Sequence, residues 1–470
     1  MKNKNTFKIR SSLLILIECT YISLGTFYSG YNLAVLNQSQ TSIEIVNRWS
    51  PSDEKFYAGL LTSLLPLGAI LGSILTATIS EKIGKRLCLI LMDLIGIFGN
   101  FIMIFPGAPL FIGRFITGIP TGANTVTVPS YINEISPPAL LPKTGTIISI
   151  MINFGIFFAF ILGLNFPNEE YMMAHRDELQ WWKFMLTFPI SACLMRVILL
   201  VFFVKTDTPE FYISSNREED AKTVLRKYYD EDSVETVFDD LKKKHENRAK
   251  SNIIDLFNYK MKKRLLVGLL LSVFQQFSGI NAVIFYSNEI FMNSGNGNDY
   301  YAKVFTTLIG VILIITAYLS GKFLDKYGRR SLLLFGQFMC SLTLFLLMLF
   351  CWLSLEEPTK YLILLFILSF GVSLGPVVFV YLPEILPEKG VGIAIMANWF
   401  SCFLIGLLFP IFVDKINIEG CFLIFCIITI VGLVFIKFCV LETRFRSKEE
   451  IEEMFMNGGK DQEEENSLKT

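Results

Sequence analysis

The chain has 470 residues, of which 52% are hydrophobic and 18% are charged, and its formal net charge at pH 7 is +0. A soluble domain of ordinary composition has nearer a quarter charged residues, so these values favour a membrane protein. The balanced charge offers no basic surface for nucleic acid, and the nine cysteines form no CxxC or Cys/His cluster. We therefore expect no nucleic-acid partner, no cofactor and no metal.

Apolar runs long enough to cross a bilayer recur along most of the chain and predict an all-α membrane protein with twelve spans. The predicted spans of the first half are 12–36, 56–80, 87–106, 109–132, 144–165 and 183–204. Those of the second half are 264–288, 302–323, 331–353, 359–383, 391–413 and 418–441. The predicted domains are an N-terminal arm (1–11), a six-helix half (12–204), a linker (205–263), a second six-helix half (264–441) and a tail (442–470).

The position of basic residues predicts the orientation of the chain. Lys85 and Arg86 follow the second span, and Arg329 and Arg330 follow the eighth. Because short basic loops stay in the cytoplasm, both termini, the linker and the tail are predicted to be cytoplasmic. Within the linker, 217–229 and 234–248 have apolar residues at helical spacing among mixed charges and predict short surface helices.

Asn37 begins an Asn-Gln-Ser sequon in the predicted outer loop after the first span, which makes it a candidate glycosylation site.

Three short motifs occur twice, in the same order in each half. The string SEKIGKR at 80–86 is repeated as LDKYGRR at 324–330, and PSYINEISP at 129–137 as VYLPEILP at 380–387. DTPEF at 207–211 is matched more loosely by ETRF at 442–445. Two related six-helix halves require repeats in this register.

These motifs resemble those of the sugar porters of the major facilitator superfamily, and particularly the facilitative glucose transporters. The resemblance covers roughly residues 13–455 and also includes GYN at 30–32, GRFITG at 113–118, QQFSGINA at 275–282 and Asn398-Trp399. It implies the major facilitator fold and alternating-access transport of a hexose or related monosaccharide. It further implies a plasma-membrane protein whose partners are a sugar and the bilayer, with a monomer sufficient for transport.

The seventh span carries amides inside an apolar run. Gln275, Gln276 and Asn281 can both donate and accept hydrogen bonds, which suits a neutral polyol, and Gly279 would allow the helix to break there. The alternative is that these amides only tie helices together. The resemblance implies the substrate-binding residues Gln275, Gln276, Asn281, Asn398, Trp399, Phe379 and Ser149, and the outer-gate residues Phe285 and Tyr286.

The resemblance also implies a cytoplasmic gate, in which basic residues of the tight loops pair with glutamates at the ends of other helices. On this basis Arg329 is expected to pair with Glu134, and Lys85 with Glu384, in each case with the glutamate of the other half. The alternative is that the basic residues only set the topology. The candidate gate residues are Lys85, Arg86, Arg114, Glu134, Arg329, Arg330 and Glu384.

Departures from the family pattern affect substrate and coupling. Ser149 stands where glucose carriers have glutamine and Phe379 where they have tryptophan, so the choice of sugar or polyol stays open. Asn32 stands where proton-coupled porters have a titratable aspartate; the nearest acidic candidate is Asp93, expected near the cytoplasmic end of the third span. The sequence therefore favours a uniporter, with a proton-coupled symporter or a non-transporting sugar sensor as alternatives. No catalytic dyad or phosphate loop indicates an enzyme.

Overall fold

The computed structural model describes residues 9–249, 256, 258–293 and 299–456. Throughout that part of the chain the regular structure is helical, and the one isolated β-bridge joins Ile9 to Tyr229. The described residues divide into two compact units. The first unit contains 9–48 and 64–249, and the second contains 49–63 and the described residues from 256 onward.

The first unit is formed by helices of the first half of the predicted membrane region and of the linker. Residues 54–63 of α3 belong to the second unit, and the rest of α3 to the first. The helices in chain order are α1 (Ser12–Ile22), α2 (Leu24–Asn47), α3 (Glu54–Ile83), α4 (Lys85–Ile102), α5 (Ala108–Ile135), α6 (Leu141–Gly163), α7 (Glu169–Ala174), α8 (Trp181–Thr187), α9 (Pro189–Phe202), α10 (Pro209–Ser214), α11 (Glu218–Tyr228) and α12 (Glu231–Ala249).

The helices of the second unit are interrupted at several points inside the predicted spans. The longest of them, α19, is also broken at Asn417, with φ of 58°, between the eleventh and twelfth predicted spans. In chain order they are α13 (Tyr259–Gln276), α14 (Ile280–Asn293), α15 (Asp299–Tyr327), α16 (Arg329–Trp352), α17 (Glu356–Val372), α18 (Leu374–Ile385), α19 (Glu388–Cys439) and α20 (Lys448–Met456).

The described helices account for the twelve predicted spans. Nine helical segments of the described chain are long and apolar enough to cross a membrane, and one of these, within α19, is two spans joined across the break at Asn417. The third and fourth predicted spans correspond to α4 and α5, which are 18 and 28 residues long. The prediction of an all-α membrane protein is thus confirmed.

The first span differs from its prediction, because it continues beyond residue 36. The chain breaks at Ser23 and then forms one helix, α2, as far as Asn47. Asn37 lies inside this helix and is 7% exposed. The prediction of a sequon in an outer loop is therefore wrong, since a side chain packed inside a membrane helix is not available for glycosylation.

The linker helices pack as part of the first unit. The two helices predicted from charge and apolar spacing are confirmed as α11 and α12. The backbone N–H of Arg10 donates to Tyr228 O at 2.9 Å, and the Tyr228 hydroxyl donates to Glu18 Oε2 at 2.5 Å. One apolar core joins linker and membrane helices, and it includes Ile15, Cys19, Ile132, Ile135, Ile213, Val224, Leu225 and Phe238.

Candidate functional site

A helix break lies beside the amides of the seventh span. Helix α13 ends at Gln276 and α14 begins at Ile280, and Gly279 between them has φ of +91°. A Cβ atom at this position would lie 2.8 Å from Phe425, so both the backbone conformation and the neighbouring ring require glycine. The predicted break at Gly279 is confirmed, and it leaves the amides on either side of a short non-helical segment.

The predicted amides are brought together in one buried network within the second unit. Gln276 Nε2 donates to Asn398 Oδ1 at 2.8 Å, and Asn398 Nδ2 donates to Gln275 Oε1 at 2.6 Å. Asn281 Nδ2 donates to Gln276 Oε1 and, at 3.2 Å, to the sulfur of Cys402. Asn398 Nδ2 also donates to the carbonyl of Ser272 at 3.2 Å. We call these four side chains, Gln275, Gln276, Asn281 and Asn398, the amide network.

The amide network connects two helix breaks. Gln275 Nε2 donates to the carbonyls of Leu374 at 3.3 Å and Gly375 at 3.2 Å, directly after the break at Ser373 between α17 and α18. Buried amides are costly in an apolar environment unless they are paired, and here they satisfy one another. A polyol can replace these bonds without any change of charge, because each amide is both donor and acceptor.

The other predicted substrate residues, Trp399, Phe379 and Ser149, lie in three different environments. Trp399 is buried on α19, next to Asn398 in the chain. Phe379 on α18 is 48% exposed, and Ser149 on α6 belongs to the first unit, where its hydroxyl donates to Gly145 O at 3.4 Å. Their roles in binding stay predictions.

The predicted outer-gate residues are buried after the break. Tyr286 has a non-helical backbone inside α14, its hydroxyl donates to Gly406 O at 2.8 Å, and its ring stacks on Phe409 at 5.3 Å. Phe285 is equally buried. In the same unit Lys55 Nζ lies 2.6 Å from Glu289 Oε1, so the start of α3 is held against α14. The gating role of Phe285 and Tyr286 stays a prediction.

The two tight basic loops have the same geometry in both units. Gly84 and Gly328 have φ of +88° and +83° and precede α4 and α16. A carboxylate then accepts the first two N–H groups of each helix: Asp207 from Lys85 and Arg86 at 3.1 and 3.0 Å, and Glu442 from Arg329 and Arg330 at 2.9 and 3.0 Å.

Asp207 and Glu442 are functional residues whose capping role the sequence reasoning missed. Their signal was present, because they open the third repeated motif. Burial raises the pKa of the Asp207 carboxyl above its ordinary value, although the backbone N–H groups of Thr208, Arg86 and Lys85 favour its charged form. The cap therefore combines a desolvated carboxylate with donors that hold it in place.

The predicted pairing across the halves is wrong. Lys85 Nζ pairs with Glu134 Oε1, and Arg329 Nη2 lies 2.8 Å from Glu384 Oε1, so each basic residue meets the glutamate of its own unit. The reason is geometric: in each unit the start of one helix, α4 or α16, lies beside the end of another, α5 or α18. Thr443 Oγ1 donates to Glu384 Oε2 at 2.6 Å and completes the pair in the second unit.

Three further gate residues have different environments from one another. Arg86 Nε donates to Leu200 O at 2.9 Å, and Arg330 Nη2 donates to Lys437 O at 2.7 Å, so both hold the ends of neighbouring helices.

Arg114 is fully buried near the beginning of α5, whereas Glu134 is near its end. Twenty residues of helix span about 30 Å. The prediction that Arg114 belongs to the cytoplasmic gate is therefore wrong.

A buried charged cluster in the first unit was not predicted. Arg196 on α9 donates from Nε and Nη2 to the two oxygens of Asp93 at 2.8 and 2.6 Å, and both side chains are almost fully buried, at 1% and 2% exposed. Arg196 Nη1 also donates to Asn124 Oδ1 at 2.9 Å. Asp93 is the ninth residue of the 18-residue α4 and thus lies at mid-helix, deeper than expected. The sequence signal that could have revealed this pair is one acidic residue, Asp93, in the predicted third span and one basic residue, Arg196, in the predicted sixth span.

The ion pairs of the tight loops lead to a prediction for transport rate. Replacing Glu384 by glutamine removes the charge that Arg329 meets and is expected to lower maximal sugar uptake roughly 5- to 10-fold. The amide still accepts a hydrogen bond, but a neutral bond is about half as strong as a charge-assisted one, so about 1 kcal/mol or slightly more is lost. The apparent KM should hardly change, since Glu384 makes no contact with the amide network. Initial uptake rates in proteoliposomes measure both quantities.

Glu134→Gln, which removes the partner of Lys85, is the matched variant in the first unit. We expect the same direction of change. Unaltered maximal uptake in both variants would mean that the pairs set topology only.

Comparison with known proteins agrees with this architecture. The family model "Sugar (and other) transporter" matches residues 18–455. The glucose transporter GlcP of Staphylococcus epidermidis is 31% identical over 408 residues, covering 84% of this chain and 87% of that protein. The facilitated glucose transporter member 3 of solute carrier family 2 from Canis lupus familiaris is 29% identical over 487 residues, covering 97% and 95%.

Solved structures define the class of fold. The major facilitator superfamily proton:xylose symporter XylE, bound to 6-bromo-6-deoxy-D-glucose, is similar with a TM-score of 0.80 and 22% identity, over 94% of this chain and all of that one. The protein is thus an all-α, multi-pass membrane protein of the major facilitator fold. From the match over most of its length, the chain belongs to the sugar transporter family.

Proposed function

We propose that this protein is a facilitative carrier of a hexose or related monosaccharide that works by alternating access. The observation that carries the proposal is the amide network, a buried set of uncharged donors and acceptors beside a helix break. Sugar hydroxyls need such partners, and an amide binds them without a counter-ion. Asn281, Gln276 and Asn398 are proposed to bind the hydroxyls directly, with Trp399 as an apolar wall.

We propose uniport rather than proton coupling. Asn32 is fully buried in α2 and its Nδ2 donates to Tyr28 O at 3.0 Å, so a non-titrating amide occupies a protected position inside the first unit. An amide cannot take up and release a proton in the working pH range. Transport then depends on the sugar gradient alone.

Proton-coupled symport is the second candidate, favoured by one observation. Asp93 is a carboxylate at mid-helix in a membrane span, and such groups commonly serve proton relays. Its two oxygens are both engaged by Arg196, which supports a structural role instead. By their names, the similar proteins include a facilitated glucose transporter and a proton:xylose symporter. The choice between uniport and symport therefore depends on a transport measurement.

The test is uptake of a panel of radiolabelled monosaccharides and polyols, including glucose and xylose, by the purified protein in liposomes, with and without an imposed pH gradient. We expect uptake that stops at equal concentrations on both sides and does not respond to the gradient. Accumulation above that level, or alkalinisation evoked by sugar and lost in Asp93→Asn, would establish symport. Asn32→Asp is the matched variant, because it places a titratable group at the buried position. Failure to transport any monosaccharide or polyol would overturn the proposal.

We further propose that the carrier acts as a monomer in the plasma membrane with both termini in the cytoplasm. The basic residues of the two tight loops support this orientation, because short loops rich in Lys and Arg remain cytoplasmic. Accessibility of cysteines introduced at the two termini, tested with an impermeant reagent in intact cells, measures it. Labelling without permeabilisation would contradict the orientation.

A further inference from the structure

A polar cavity lies at one end of the first unit, away from the tight loop that begins α4. Its volume is about 170 Å³, and a site for one water needs only about 10–15 Å³, so it can hold a polyatomic group. The lining comes from three places in the chain: the end of α2, the connection between α4 and α5, and the segment that leads into the first turn of α8. The lining residues are Val46, Arg48, Pro106, Arg176, Asp177, Leu179, Gln180, Trp182 and Lys183.

The walls of the cavity are fixed by hydrogen bonds. Asn47 at the end of α2 accepts from the backbone N–H of Gly107 through Oδ1 at 2.7 Å, which ties the connection between α4 and α5 to α2. Arg176 Nη2 donates to Val46 O at 3.0 Å, and Trp182 Nε1 donates to Leu179 O at 3.2 Å. The cavity is thus a built feature of the unit, held from three sides.

The charge of the lining is predominantly positive. Three basic side chains, Arg48, Arg176 and Lys183, face one carboxylate, Asp177. Among the described residues, the side chains of Arg48, Lys183 and Asp177 form no ion pair. The carbonyl end of α2 also faces this region and opposes an anion, but Arg176 and the αL cap at Arg48 donate to its last carbonyls. The uncompensated charge therefore favours an anionic ligand.

The surrounding aromatic residues indicate the depth of the cavity. Trp181 and Trp182 begin α8, and Lys183 Nζ lies 5.6 Å from the centre of the Trp182 ring. Tryptophan beside basic residues is typical of the boundary between hydrocarbon and water, where lipid headgroups lie. Guanidinium and ammonium groups together are a common arrangement for binding phosphate oxygens.

We propose that this cavity binds a phosphate group, either that of an anionic lipid headgroup or that of a soluble phosphate. In this proposal the side chains of Arg48 and Lys183 donate hydrogen bonds to the phosphate oxygens. Arg176 fixes the wall through its bond to Val46 O. The negative charge of Asp177 lowers the affinity for phosphate. This inference does not rest on sugar transport, since every lining residue belongs to the first unit and the amide network belongs to the second.

The experiment uses the full-length purified protein in neutral detergent. One arm measures retention of phosphatidylglycerol against phosphatidylcholine by native mass spectrometry, and the other titrates inorganic phosphate by calorimetry. Lys183→Gln is expected to weaken binding roughly 5- to 10-fold, because it removes one charge-assisted contact. Asp177→Asn is expected to strengthen binding several-fold, because it removes the only carboxylate of the lining.

The paired variants make the result decisive even if one of them is unstable. Lys415→Gln, which alters an exposed lysine of the second unit, should leave binding unchanged. Preferential retention of phosphatidylglycerol without phosphate binding identifies a lipid site, and binding in both arms identifies a general phosphate site. No binding in either arm, or equal binding by wild type, Lys183→Gln and Asp177→Asn, would overturn the proposal.

Discussion

Replacing Arg196 by methionine is expected to destabilise the protein by roughly 3–5 kcal/mol, because it leaves the Asp93 carboxylate buried without its counter-charge. The bidentate pair and the bond from Arg196 to Asn124 join α4, α5 and α9. The measurement is the midpoint of thermal unfolding in detergent, followed by size-exclusion chromatography. We expect a markedly lower midpoint, or loss of the monodisperse species.

The double variant Asp93→Leu/Arg196→Met separates a lost interaction from an uncompensated charge. Replacing a whole buried ion pair by apolar side chains is often neutral or stabilising, so most of the lost stability should return. The control is Arg217→Met, which breaks the exposed pair with Asp220 and should cost less than about 1 kcal/mol. An Arg196→Met variant as stable as wild type would mean that Asp93 does not need its partner.

The second large effect is expected at Asn398. Its amide donates to Gln275 and Ser272 and accepts from Gln276, so Asn398→Leu removes the centre of the amide network. Each buried amide left without a partner costs about 1–3 kcal/mol, and a contact to the sugar is lost as well. We expect kcat/KM for hexose uptake to fall about 10- to 100-fold, with a higher KM, in proteoliposome assays.

A matched control exists in the same unit. Gln337 on α16 is a fully buried amide outside the network, and its Nε2 donates to Thr429 O at 2.9 Å. Gln337→Leu should lower stability by a similar amount and leave KM unchanged. If Asn398→Leu retained the wild-type KM and turnover, the amide network would be a structural tie between helices, and the sugar site would lie elsewhere.

Features that depend on local sequence, such as the membrane spans and a helix break, were predicted correctly. The spans were predicted from hydropathy because every residue in contact with lipid must be apolar over a fixed length. The break at Gly279 was predicted because only glycine adopts its positive φ without strain. In contrast, Asn37 was predicted to lie in a loop because the apolar run ends before it. In the structure its side chain is buried inside the first unit, on the continuous helix α2.

Partner choice was the part that sequence reasoning could not supply reliably. Lys85 and Glu134, and likewise Arg329 and Glu384, were recognised as gate residues, but their pairing depends on which helix ends are adjacent. The same holds for Asp93 and Arg196, which are 103 positions apart. Two charges of opposite sign in different spans give no register until the helices are packed.

The sequence by itself determined the two-halved membrane architecture, the repeated basic loops and the amides of the seventh span, because these depend on composition and on short motifs. Only the tertiary structure decided that Gln275, Gln276, Asn281 and Asn398 form one network, that each gate pair lies within a unit, and that Arg196 neutralises Asp93. The physical reason is that hydrogen bonds and ion pairs act over a few ångströms. They are therefore specified by helix packing, which brings together residues that are far apart in the sequence.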